Sequence, residues 1–139
     1  MNARQFRVTA PRQIMNGQRY LITRRCTQRQ FLLRPSRLTN QIILYCLGLA
    51  AEHTGIQRHA ACFLSNHWHG VVSDPGGRLP EFLERFHRLV AKAQNASLGR
   101  WENFWSSDHT SAVLLISDQD VLDKMVYTLT NPTVAGLVR

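Results

Sequence analysis

The chain has 139 residues, 44% of them hydrophobic, which suits one domain with a buried core and argues against a disordered chain. Its formal charge is +8, from seventeen Lys and Arg against nine Asp and Glu, and all but two of the basic residues are Arg. Its longest apolar runs, 42–47 and 113–116, fall far short of the roughly 20 residues of a membrane span, so no membrane partner is expected.

Residues 1–17 read as a loose arm ending in a turn at Asn16-Gly17, ahead of a single domain over 18–139. Arg19–Thr27, with Tyr20-Leu21-Ile22-Thr23, is rich in β-branched and aromatic residues and predicts a strand. A loop over Gln30–Arg37 leads into a helix of about Leu38–His53, closed near Gly55. Strands of about Gln57–Leu64 and His67–Ser73 follow, with Asn66 at a short hairpin turn. A second helix begins after Pro80 and runs to about Ala96; Phe82, Phe86, Leu89 and Val90 face one side, with Arg85, Arg88 and Lys92 opposite. Trp101, Phe104 and Trp105 mark an aromatic loop, suited to stacking on bases or to the core. Ser111–Ile116 predicts a short strand, and a last helix of about Asp118–Thr130 stops at Asn131-Pro132. The order β-α-β-β-α-β-α predicts an α+β sandwich of the ferredoxin-like, or split βαβ, kind.

Guanidinium groups match phosphates bidentately and stack on bases, so nucleic acid is the expected partner. Arg24 and Arg25, at the end of the first predicted strand, and the Arg85, Arg88, Lys92 stripe are the expected DNA contacts. Cys26, Cys46 and Cys62 are odd in number and form no C-x-x-C pair, which fits buried thiols in a reduced, cytoplasmic protein. The N-terminus carries no apolar run after its basic residues, so no secretory signal is expected.

The residues that bear chemistry are His67 and His69. On a strand they project from one face while Trp68 points to the other, so two imidazoles can converge on one metal ion. Tyr127 and Asn131, four residues apart on the last predicted helix, share a face and could reach the same ion. Two imidazoles and an amide oxygen make a mixed N/O set with open positions, suited to Mg²⁺ or Mn²⁺. His53, His59, His87 and His109 have no partner pattern and read as ordinary surface or packing residues.

His67-Trp68-His69 resembles the His-hydrophobic-His motif of HUH endonucleases. The run 127–138, Tyr-Thr-Leu-Thr-Asn-Pro-Thr-Val-Ala-Gly-Leu-Val, is similar to the signature of REP-associated tyrosine transposases, and Tyr20-Leu21-Ile22-Thr23 to their opening strand. The resemblance spans about 18–139. It implies a metal-dependent endonuclease and strand transferase acting on single-stranded or hairpin DNA. Tyr127 would be the nucleophile, forming a 5′-phosphotyrosine link, and His67, His69 and Asn131 would hold a divalent metal. It further implies a homodimer associated with the bacterial nucleoid. The chain departs from the pattern at Trp68, at Leu129 and at Thr133-Val134, and it stops at Arg139, where many relatives continue. Two rival readings stand beside this one. The first is a decayed or domesticated nucleic-acid-binding module on the same fold, and the second is a metal hydrolase in which Tyr127 only packs.

Overall fold

In the computed structural model, residues 3–7 and 16–134 are described. Strands β1 (Ala3–Arg7) and β2 (Gln18–Arg25) are followed by helix α1 (Arg37–Thr54). Next come β3 (Gln57–Leu64), β4 (His67–Asp74), α2 (Leu79–Leu98), β5 (Ser111–Leu115) and α3 (Asp118–Val134). All five strands join one antiparallel sheet in the order β1-β5-β2-β4-β3. The order β5-β2-β4-β3 is the ferredoxin-like one, in which each helical crossover skips over a central strand. The expected α+β class and ferredoxin-like layout are present.

Alternation along the central strands divides the sheet into two faces. Tyr20, Ile22, Trp68, Val72 and Ala112 point to one face and form the main core with Ile43, Leu47 and Ala50 of α1 and Phe82, Phe86 and Val90 of α2. Leu21, Ala60, Val71 and Leu115 point to the other and form a smaller core with Val121 and Met125 of α3. The helices therefore lie as α1 and α2 on one face and α3 on the other.

Local chemistry sets the helix ends. Ser36 Oγ accepts the Thr39 N–H at 3.0 Å, an N-cap for α1, and Gly55 closes that helix at φ 75°, where a side chain would be strained. The buried Asp74 carboxylate accepts the N–H groups of both Arg78 and Leu79 at 2.8 Å, joining the end of β4 to the start of α2. Ser117 and Asp120 exchange backbone-to-side-chain hydrogen bonds at the start of α3, a reciprocal capping box. Among the described residues, no helix is long and apolar enough to cross a membrane.

Two sequence expectations need correction. Part of the expected arm, Ala3–Arg7, is an edge strand paired with β5 from Ala3↔Leu115 to Arg7↔Ser111. Its Arg- and Gln-rich composition carries no strand pattern of its own. The last helix does not stop at Thr130 but continues through Asn131 and Pro132 to Val134. Pro132 lacks an N–H for the helix ladder, but it falls in the last turn, where little helix follows to be disrupted.

Candidate active site beneath the third helix

The register of β2 against β4 pairs Thr23 with His69 and Arg25 with His67. His67, His69, Thr23 and Arg25 thus share the sheet face that α3 covers, and the alternation expected for the histidine pair is present. The His67 and His69 rings stand nearly perpendicular with centroids 4.8 Å apart. The Tyr127 ring, on α3, lies 5.6 Å from that of His69, edge to face. Tyr127 is 47% exposed, so its phenol remains open to solvent. Lys124, one turn earlier, holds its ammonium 5.5 Å from the centre of the tyrosine ring. Asn131 follows Tyr127 by one turn of α3 and is half-buried.

Both imidazoles are held by their Nδ1 atoms. His67 Nδ1 lies 2.7 Å from Asn66 Oδ1; with the carboxamide oxygen accepting, Nδ1 carries the proton and Nε2 keeps its lone pair. His69 Nδ1 lies 2.9 Å from Thr23 Oγ1, and with the hydroxyl accepting, the same tautomer results. Burial lowers the His67 pKa, helped by the Arg25 charge. For His69, burial, then the neighbouring His67, then Arg25 bring it down to about 4. Near neutral pH both rings are uncharged, the state a metal ligand requires.

This donor set fits a divalent cation. Among the described residues, no group of three or more His, Cys, Asp or Glu side chains comes together. A cation on the two Nε2 atoms would complete its shell with oxygen donors; water and phosphate can supply these, and the amide of Asn131, on the same helix as Tyr127, is a candidate for one. That mixture suits a hard ion with exchangeable positions rather than a closed structural zinc.

The expected DNA-contacting residues separate. Arg25 is exposed on the face of the histidines. Arg24 points to the opposite face, where it donates to Thr110 Oγ1 at 2.7 Å and the Ser106 carbonyl at 3.0 Å, 5.9 Å from the centre of the Trp105 ring. Its guanidinium fastens the loop after α2 to β2. Arg85 reaches His53 Nε2 at 3.1 Å and Arg88 pairs with Glu84 at 3.0 Å, while Lys92 is exposed. All three sit on α2, across the sheet from the histidine pair.

The sequence reading missed the use of His87. Trp68 Nε1–H donates to its Nε2 at 3.0 Å, and Trp105 Nε1–H donates to its backbone carbonyl at 2.8 Å. The ring is buried, and burial, then the Arg24 charge, hold its pKa well below the ordinary value. The missed signal was Trp68 itself, because a buried indole N–H needs an acceptor. Thr23 and Asn66, which hold the two histidines, were also overlooked as site residues; their signal is their register and adjacency to the rings.

No protein-family profile and no curated protein matches the sequence. Solved structures do match. A REP-associated tyrosine transposase bound to a REP hairpin is similar with a TM-score of 0.68 and 20% identity, covering 90% of this chain and 72% of that one. A candidate transposase from Deinococcus radiodurans R1 is similar with a TM-score of 0.57 and 15% identity, covering 81% and 89%. The chain has the fold of these transposases. At such identities the likeness extends to the fold alone.

Proposed function

We propose that the chain is a transposase-type enzyme that cuts and rejoins single-stranded DNA next to a hairpin.

 The observation that carries this reading is the convergence of His67, His69 and Tyr127 on one sheet face, with the His69 and Tyr127 rings 5.6 Å apart. The two solved transposases with this fold support it. A divalent cation, Mg²⁺ or Mn²⁺, held by His67, His69 and Asn131 would polarise the scissile phosphate and offset its charge. Tyr127 supplies the nucleophile: its phenolic oxygen attacks phosphorus and releases its proton to solvent. The bond from phosphorus to the 3′ oxygen breaks, and that oxygen takes up a proton as a free 3′-hydroxyl. The 5′-phosphotyrosine so formed keeps the phosphodiester energy, so attack by a 3′-hydroxyl reverses the step. Arg25, exposed beside His67, binds backbone phosphate.

The test is to incubate the protein with hairpin oligonucleotides bearing single-stranded tails, in Mg²⁺ or Mn²⁺, and resolve the products under denaturing conditions. A covalent protein–DNA adduct that disappears in Tyr127→Phe is expected. Binding with no adduct in either metal would leave a nucleic-acid-binding module, and cleavage persisting in Tyr127→Phe would make water the nucleophile.

A further inference from the structure

We infer that a cavity at the end of the sheet where β2 stops and β4 begins is a subsite for one unpaired nucleobase carrying an exocyclic amine. This rests on the reading of the chain as a single-strand DNA enzyme and assigns part of its specificity. The cavity, about 430 Å³, is lined by Thr27, Gln28, Gln30, Arg100, Glu102 and Asn103. Its one cation, Arg100, lies 3.7 Å from the Glu102 carboxylate and donates to Asn95 Oδ1 at 2.8 Å. The charged lining groups therefore balance, which suits a neutral ligand better than a phosphate.

The rest of the lining is built to read a polar edge. Gln30 Nε2 donates to Gln28 Oε1 at 3.2 Å, so the two carboxamides lie side by side with further donors and an acceptor to offer. Glu102 accepts, and the exocyclic amine of adenine, cytosine or guanine supplies a two-hydrogen donor, whereas an unpaired thymine offers only its ring N3–H between two carbonyls. Arg29 and Arg34 are exposed on the adjoining segment, where they can follow the backbone. Phe31, 60% exposed, and Trp101, 88% exposed, flank the same end and can stack on neighbouring bases.

The cavity also connects with the candidate active site. Gln28 and Arg29 both adopt positive φ, 50° and 55°, a conformation that costs energy in residues other than glycine. Asn66 Nδ2 donates to the Arg29 carbonyl at 3.4 Å, while Asn66 Oδ1 faces His67 Nδ1. One carboxamide thus joins Arg29, which lies between the lining residues Gln28 and Gln30, to a histidine of the candidate site.

The experiment measures binding of fluorescent hairpins with single-stranded tails of deoxyadenosine, deoxycytidine or thymidine, and of a tailless hairpin, to the full chain in EDTA. With metal removed, no cutting complicates the signal. Adenine and cytosine tails are expected to bind roughly tenfold tighter than thymine tails. Glu102→Gln and Gln30→Ala should flatten that preference and leave the tailless hairpin unaffected. Equal affinity for all tails, or a preference unchanged in both variants, would overturn the subsite while leaving the adduct test of the active site standing. Failure to bind any of the hairpins would also overturn the subsite, and the adduct test in Mg²⁺ or Mn²⁺ judges the active site separately.

Discussion

The two faces of the sheet use the same residue type to opposite ends. On the α1–α2 face, His87 is sealed in the core and its Nε2 is occupied by the Trp68 indole N–H. On the α3 face, His67 and His69 are fixed through Nδ1, and no protein hydrogen bond to their Nε2 atoms is made among the described residues. Burial favours the neutral ring in all three. What separates the structural histidine from the two candidate ligands is therefore the nitrogen left over, not the charge. Trp68 and its two neighbours send this contrast in opposite directions within three residues of β4.

The sharpest way to break the comparison is Tyr127→Phe. It should abolish the covalent adduct on a denaturing gel and change unfolding free energy by no more than about 0.5 kcal/mol, since the side chain is half exposed. Next, Asn66→Ala should weaken Mn²⁺ binding about ten- to a hundredfold by calorimetry, because the ring of His67 loses the group that orients it. Unchanged affinity would remove Asn66 from the site.

On the core face, a Cβ added at Gly70 would meet Trp68 Cζ3 at 2.5 Å. Gly70→Ala should therefore cost about 1–3 kcal/mol in urea unfolding. Trp68→Val should itself be costly, because it empties core volume, but the double variant should lose less than the sum of the two, and strict additivity would show that they do not clash. The smallest expected effect concerns acid. His87 is neutral when folded, so below about pH 6.5 the unfolded chain binds a proton that the folded chain refuses, and stability falls with pH. His87→Leu should make that decline shallower. It should also cost about 1–3 kcal/mol near neutrality, because the Trp68 N–H loses its acceptor.

Much of this was legible in the chain. The strands 57–64 and 67–73 and their tight turn followed from alternation, and the structure differs by one residue, ending β4 at Asp74. The histidine pair could be assigned to one face because a strand has period two. The three cysteines are buried and free, as their spacing implied. What could not be read depended on cross-strand register. Thr23 meets His69 across 46 positions, and Arg24 and Arg25, adjacent in sequence, serve opposite faces. The edge strand β1 escaped notice because pairing with β5, rather than its own pattern, defines it. The end of the signature, 135–138, lies outside the described residues.

Arg19 donates to the Ile116 carbonyl at 2.9 Å and pairs with Asp118 at 2.5 Å, fastening the root of α3 to β2. As an exposed ion pair it adds less than about 1 kcal/mol to stability. From Asp118 to Tyr127 the helix is a lever of about 13 Å, so a tilt of about 5° at its root swings the tyrosine by about 1 Å. Displacements of that size can change a reaction rate about a hundredfold. A contact negligible to the fold would thus set the aim of the proposed nucleophile.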